Sequence, residues 1–495
     1  MQVTYQKAAA LPKDVALVLC PIRNMRSFLK GPAARALKID ARLIEQRAKN
    51  IGFEAKAGQT LALDLNSGGK IIRYDLRGWD AEPKSAWLKN ERYRKLGAAI
   101  LKQARNLKAA RVVLYAQELE LEKKEYIRAL LEGIGLATYE FQKFKSKRKP
   151  AFTLKALVIF AGARPDLTVV KEVEAVVGAV SAARSLINTP PSDALPKVLV
   201  QAAQRIARES RLKLKVFNRQ QLIKMGAGGI AAVSAGSSSG GYLIHLTYKP
   251  TRKAKKKIAL VGKGVTFDSG GLWIKPGPGM STMKCDMSGA AAVLSAMSLM
   301  RMLKPNYEVH GYIPTCENMV GPDSMRSGDV ITIRNGRTVE VINTDAEGRL
   351  ILADALSLAV EDGVDEIVSL ATLTGAVVSA LGTEIAGLMS NNPALTKQII
   401  TAGETAGERY WELPLVPEYR AGLKSPIADL RNIGNPSKGA GTILASLFLE
   451  EFVDKTPWVH LDIAGTAFYE GESDYLSYGG VGFGVRTLVE YLRSR

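Results

Sequence analysis

The chain is poor in the residues from which disulfide scaffolds and histidine metal sites are made. Only three cysteines, Cys20, Cys285 and Cys316, occur in 495 residues, scattered and without pair spacing. That excludes a disulfide framework and reads as reduced thiols of a cytoplasmic protein. No apolar run approaches the roughly 18 residues needed to cross a membrane. Met1 to Asp14 lacks the basic stretch, apolar core and small-residue cleavage site of a secretory leader, so nothing points to export. There is no internal repeat or low-complexity tract, and the Gly277-Pro278-Gly279 run lacks the spacing of a nucleotide-binding loop. Histidines are equally few: His245, His310 and His460.

What is present is a globular composition, 46% hydrophobic, with strands and helices in alternation. Val15 to Cys20, a hairpin of Leu61 to Leu65 with Ile71 to Leu76, and Arg111 to Tyr115 read as strands. Helical patterns cover Ala86 to Leu107 and Glu122 to Ile134. These predict a smaller N-terminal α/β domain over residues 1–160. A long helical pattern from Asp166 to Leu186 stops at Asn188-Thr-Pro-Pro191, where proline forbids more helix, and predicts a connector over 161–191. Residues 192–495 read as a larger α/β domain with a mostly parallel central sheet flanked by helices. Its strands include Ile258 to Val261, Glu366 to Ala371, Ala386 to Met389 and Trp458 to Ile463.

Charge is unevenly spread. Residues 1–160 contain 32 Lys+Arg against 15 Asp+Glu, a net +17, whereas residues 161–495 contain 36 against 33, a net +3. The densest pieces are Lys143, Lys145, Lys147, Arg148 and Lys149 in one run, and a helix face around Arg92, Arg94, Lys95, Lys102 and Arg105. Two readings compete: a solvated surface that keeps the chain soluble, and a sequence-independent nucleic-acid footprint, because clustered cations release counterions from phosphates.

Chemistry concentrates elsewhere. Asn343-Thr-Asp-Ala-Glu-Gly-Arg-Leu350 packs Asp345, Glu347 and Arg349 between a hairpin pattern about Asn335-Gly336 and a helical repeat of apolar residues. In an extended segment residues two apart share a side, so these three are expected to converge. Some eighty residues earlier, Lys263, Asp268 and Lys275 follow a short apolar strand, and Asp286 precedes an apolar helix. Four carboxylates brought together cannot all stay ionised without cations. With no histidine nearby, the donor set argues for a carboxylate-rich divalent site rather than a three-histidine zinc site. On the carboxylates alone, peptide hydrolysis and phosphoester hydrolysis both remain open.

Val261-Gly-Lys-Gly-Val-Thr-Phe-Asp-Ser-Gly-Gly-Leu272, Met283-Lys-Cys-Asp-Met287 and the octapeptide above resemble the signature blocks of the leucyl aminopeptidase (cytosol aminopeptidase) family. The likeness runs from Arg184 to the C-terminus, including His460-Leu-Asp-Ile-Ala-Gly-Thr466, and is slight in the first 160 residues. It implies two divalent ions per subunit, Zn2+ or Mn2+ with Mg2+ as an option in one site. Asp268 and Glu347 would bridge them, Asp345 would complete one site, and Lys263 and Asp286 the other. A ligating lysine must be neutral, so the pKa of Lys263 is expected to be strongly lowered by the metal. The resemblance further implies Lys275 as oxyanion stabiliser and Arg349 as holder of a bicarbonate general base. Met283, Thr372, Gly375, Ala464 and Ala467 would line the pocket for the N-terminal side chain, with Leu373 positioning the backbone. Leucine and methionine are expected to fit, and Ala467 to leave room for bulkier groups. Peptides are the implied substrates and a homo-hexamer, a dimer of trimers, the implied assembly. Some bacterial relatives also bind DNA. A relative that has lost catalysis should have lost ligands, and none of these is missing.

Overall fold

The computed structural model describes residues 1–7, 11–12, 14–31, 41–67, 69–79, 83, 85–148, 150–434 and 439–495. It divides into two compact units, one of Met1–Val177 with Glu472–Ser477, the other of Gly178–Gly471 with Tyr478–Arg495. A single helix, Val170–Asn188, runs through the boundary.

The first unit is built on a six-stranded sheet. Its strands are β1 (Gln2–Gln6), β2 (Leu17–Ile22), β3 (Thr60–Ser67), β4 (Lys70–Gly78), β5 (Arg111–Tyr115) and β6 (Ala156–Phe160), in the order β1-β6-β5-β2-β4-β3. All neighbours are parallel except the hairpin β3–β4. β2 and β6 are buried along their whole length, as expected for strands covered on both faces. Helix Ala86–Asn106 starts where the Ser85 side chain accepts the N–H of Leu88, and it packs on helix Lys124–Leu136. β1 and helix Ala41–Asn50 were not expected from the sequence, the former because Gln2 to Gln6 carries only two apolar residues.

The expected basic helix face needs correction. Arg94 is buried, with Nε 2.8 Å from Glu132 Oε2 and Nη1 3.4 Å from Glu91 Oε2, and the Arg92 guanidinium lies 3.7 Å from the centre of the Trp79 ring. Neither is simply a solvated charge. Lys143, Lys145, Lys147 and Arg148 are exposed. Lys149 lies outside the described residues.

In the second unit the strands are β7 (Lys213–Asn218), β8 (Tyr242–Tyr248), β9 (Lys257–Gly262), β10 (Gly264–Asp268), β11 (Glu308–Asn318), β12 (Val330–Thr332), β13 (Thr338–Glu340), β14 (Glu366–Ala371), β15 (Ile385–Ser390), β16 (Arg409–Glu412), β17 (Leu430–Arg431) and β18 (Trp458–Asp462). The main sheet runs β16-β15-β18-β14-β9-β11-β8-β7, with β10 also paired to β11. Its centre, β18-β14-β9-β11, is parallel, and antiparallel pairs occur towards both edges. Two apolar helices, Ser288–Ser298 and Gly348–Glu361, are buried over nearly all their residues, which fits small and aliphatic side chains all round the axis. β12 and β13 form the hairpin about Asn335-Gly336, with Gly336 at φ +89°. Helices Gly375–Leu381 and Pro393–Ala406 were not foreseen. Among the described residues no helix is long and apolar enough to cross a membrane.

Candidate metal centre

The C-terminal ends of the central parallel strands converge on one place, where open α/β sheets bind ligands. β9 ends at Gly262, and the next residue, Lys263, is pinned by its backbone on both sides. Its N–H donates to Leu370 O at 3.0 Å, and its carbonyl accepts from Ala290 N at 2.8 Å. β10 ends on Asp268. A turn at Met283–Met287 supplies Asp286, and the passage from β13 into helix Gly348–Glu361 supplies Asp345 and Glu347.

Asp268, Asp286 and Glu347 each offer a carboxylate oxygen within 4.8 Å of the others, and all three are buried. Lys263 Nζ lies 2.8 Å from Asp286 Oδ1 and 2.8 Å from Glu347 Oε1, and donates to the carbonyl of Thr372 at 3.0 Å. Gly348 makes room for it, since a Cβ there would come within 2.6 Å of Nζ. Asp345 stands outside the trio and is joined to it by Lys275, whose Nζ lies 2.6 Å from Asp345 Oδ1 and 2.9 Å from Asp268 Oδ2. The loop carrying Lys275 turns at Gly270, with φ +86°, and closes where Lys275 N donates to Ser269 O at 2.9 Å.

The expected convergence along an extended segment does not hold. Glu347 has φ −79° and ψ −35°, already helical, and Arg349 sits in the first helical turn. The chain turns there, so the three side chains leave for different partners: Asp345 to Lys275, Glu347 to Lys263, and Arg349 Nη1 to the carbonyl of Asn432 at 2.7 Å.

Burial governs the electrostatics. It pushes the pKa of Glu347 up to about 8 and that of Asp286 up to about 6, with neighbouring carboxylates adding to the rise, and Asp345 is raised too. For Lys263 burial pulls down, but Asp286, Glu347 and Asp268 outweigh it and hold the ammonium well above its ordinary pKa. The carboxylate field alone therefore opposes the neutral lysine that ligation requires. Lys275 is raised for the same reason, and burial brings Arg349 down to about 10.

The residues fit divalent cations. Asp286 Oδ2 and Glu347 Oε2 are buried with no hydrogen-bond partner, and an orphaned carboxylate oxygen deep in a protein calls for a cation. The oxygen-rich donor set with a single amine suits hard to borderline metals. Arg349 Nε is likewise buried without a partner.

Of the expected pocket residues, Met283, Leu373 and Ala464 are half-buried and Gly375 is exposed. Thr372 is nearly buried, with its hydroxyl donating to Asp286 Oδ1 at 2.7 Å. Ala467 is fully buried and presents no accessible surface, so it does not leave room in the way expected.

Several supporting residues were missed. Asn318, at the end of β11, donates to Asp268 Oδ1 at 2.8 Å and to Thr344 O at 3.0 Å. The Thr344 hydroxyl donates to Gly270 O at 2.6 Å, and Asn432 Nδ2 to Asn343 O at 2.6 Å. Such neutral side chains carry no charge pattern, and only their adjacency to Asp345 or to a strand end could have singled them out.

A model of the catalytic domain of the cytosol aminopeptidase family matches residues 181–489, and a model of that family's N-terminal domain matches residues 29–148. A probable cytosol aminopeptidase from a Synechococcus strain is 40% identical over 91% of this chain and 91% of its own. Among solved structures, a tomato leucine aminopeptidase variant superposes with a TM-score of 0.88 at 34% identity, covering 100% of this chain and 97% of that one. The bottromycin maturation enzyme BotP in complex with Mn superposes with a TM-score of 0.83 at 33% identity, covering 97% and 99%.

Proposed function

The chain belongs to the cytosol aminopeptidase family, and on that premise we propose that it releases N-terminal amino acids, leucine and other apolar residues foremost, from peptides with the help of two divalent cations. The observation that carries this reading is the buried trio of Asp268, Asp286 and Glu347, with oxygens left unpartnered around a single lysine. Asp268, Glu347, Lys263, Asp286 and Asp345 are the residues that would hold the two cations. The manganese of the related BotP structure supports Mn2+ as an occupant, and Zn2+ suits the same donors. When bound, the pair supplies Lewis acidity towards a carbonyl and towards a free amine, and lowers the pKa of water to near neutrality.

The chain's own groups do the rest. Lys275 keeps its charge beside Asp268 and Asp345, which suits it to stabilise negative charge building on the scissile carbonyl oxygen. Arg349, with Nε unpartnered, is suited to hold a small anion such as bicarbonate, which would supply general-base chemistry there. Thr372 is bonded to Asp286 and Met283 lies three residues before it in sequence; with Gly375 and Ala464 they would receive the N-terminal side chain, Leu373 positioning the substrate backbone. An apolar pocket of that kind separates near neighbours by only about 1–3 kcal/mol, so selectivity among apolar residues should be broad.

Leucyl-anilide and a phosphodiester assayed side by side test the reading. Cleavage of the anilide with two metal equivalents per chain supports it, and cleavage of the phosphodiester alone overturns it.

One feature supports a second, separate role. The exposed Lys143 to Arg148 run carries Phe144, itself 50% exposed, on a unit with excess positive charge. A cationic loop with an exposed ring suits contact with the phosphates and bases of nucleic acid. Its signature would be retention on DNA that falls steeply with salt.

A further inference from the structure

β18 ends on a carboxylate that the metal centre does not use. Asp462 is completely buried. Its Oδ1 accepts the backbone N–H groups of Leu373 at 3.1 Å, Thr374 at 3.4 Å and Ala464 at 3.2 Å, and its Oδ2 accepts the Thr374 hydroxyl at 2.7 Å. Two stretches of chain therefore hang from one side chain. The first leaves β14 and carries Thr372, whose carbonyl accepts from Lys263 and whose hydroxyl donates to Asp286. The second leaves β18 and carries Ala464.

Four donors and no acceptor surround this group, which is the environment an ionised carboxylate needs and an amide does not satisfy. Thr374 extends the network. Its hydroxyl lies 2.9 Å from that of Thr442 and accepts the N–H of Val377 at 3.2 Å, starting helix Gly375–Leu381. Thus the direction of that helix, the backbone of Leu373 and the backbone of Ala464 all refer to one buried anion.

We propose that Asp462 is a positioning residue that sets the spacing between the two walls of the pocket for the substrate's N-terminal side chain, and through it the preference for leucine over smaller residues. The inference rests on the assignment of Thr372 and Gly375, on the first stretch, and Ala464, on the second, to that pocket. Asp462 touches no metal ligand in the bonds above. Its hydrogen-bonded link to the centre passes through the backbone of Leu373 to Thr372, and its charge also faces Arg349, but none of the proposed ligands is bonded to it, so its removal should alter side-chain selection more than metal binding. A purely structural cap would predict something else: a lower Tm, with leucyl and alanyl substrates affected alike.

The test uses the full-length, metal-loaded protein with leucyl and alanyl anilides, reading kcat, KM, metal content and Tm. In Asp462→Asn the amide nitrogen must face a donor, and in Thr374→Val the hydroxyl is gone. Both should raise KM for the leucyl substrate about tenfold and shrink the leucine-to-alanine ratio of kcat/KM by a similar factor, with kcat and metal content nearly kept. Thr374→Ser restores the hydroxyl and should restore the ratio. If Asp462→Asn does not fold, Thr374→Val and Thr374→Ser carry the test alone. An unchanged leucine-to-alanine ratio in an active variant overturns the proposal while leaving the aminopeptidase reading intact. Loss of metal together with kcat overturns it as well, by placing Asp462 in the metal centre. A wild-type protein that cleaves neither anilide overturns both readings.

Discussion

Each unit buries charge, but the two do so differently. In the first, Arg94 is closed in by Glu132 and Glu91, and the Tyr475 hydroxyl donates to Glu91 Oε1 at 2.9 Å, so the two carboxylates are matched by hydrogen-bond donors. In the second, three buried carboxylates share Lys263, and oxygens of Asp286 and Glu347 are left over. A matched buried pair holds a fold together, whereas an unmatched cluster is held at a cost and waits for something to neutralise it. The exposed charge is divided the other way: residues 1–160 carry a net +17 and residues 161–495 only +3.

Breaking the unmatched cluster should have the largest effect on catalysis. Glu347→Gln is expected to lower kcat/KM by more than about 10³-fold, because the pair that supplies both nucleophile and polarisation is lost. In metal-free protein it should not lower Tm, since the amide replaces a carboxylate whose pKa burial has pushed up to about 8. Thermal unfolding measured beside turnover would check both halves. Lys275→Ala should cost about 10²–10³ in kcat with metal content unchanged, as loss of a single oxyanion donor does. Equal loss of metal would instead make Lys275 part of the cation site.

The matched cluster should respond in the opposite sense. Arg94→Ala leaves Glu132 buried without its cation and should destabilise by about 3–5 kcal/mol in denaturant unfolding, while turnover per folded molecule stays near wild type. If turnover fell in proportion instead, the two units would not be separable in function.

Acid should separate them next. All three histidines lie in the second unit, and burial lowers each below its ordinary value, His245 to about 4 and His460 to about 3, with His310 shifted the same way. The unfolded chain gains these protons below about pH 6.5 and the folded one does not, so the histidines' share of stability is lost as pH falls from there toward 3, against the opposite contribution of Glu347 and Asp286, whose raised pKa values favour the folded state as they protonate. His460 alone contributes a loss of about 2 kcal/mol between pH 7 and pH 5. His460→Gln should remove that contribution, read as a smaller dependence of Tm on pH between 7 and 5 than in the wild type, and an unchanged dependence would contradict it. The smallest effect on turnover is expected from reversing Lys143, Lys145 and Lys147 to glutamate. kcat/KM should stay within about twofold, and any salt-sensitive retention on DNA should disappear.

Much of this was legible in the chain. The acidic segments, the Asn335-Gly336 hairpin, the central strands and the helices before and after them follow from periodicity and turn residues. The family motifs marked by position the residues that gather at the candidate metal centre. The model of the family's N-terminal domain matches residues 29–148, where motifs said little, because that unit is a sheet with flanking helices and no cluster of reactive groups to mark it. What could not be read was direction. Alternation placed Asp345, Glu347 and Arg349 on one side, but the backbone is already helical at Glu347, so a rule for extended chain did not apply. Arg94 looked like one more charge in a basic helix, because its partner Glu132 stands on a different helix. Asn318 and Asp462 meet partners far away in sequence, the Asp268 carboxylate for one and the Leu373 N–H for the other, brought close only by the sheet. Ala467 has the right size for a pocket wall but lies behind the surface.

The most direct test of the central claim is to measure metal content and leucyl-anilide turnover on the same sample before chelation, after it, and after adding back Mn2+ or Zn2+. Two equivalents per chain, activity lost on chelation and regained with the metal are the expected result. Full turnover by protein stripped of metal would contradict the account.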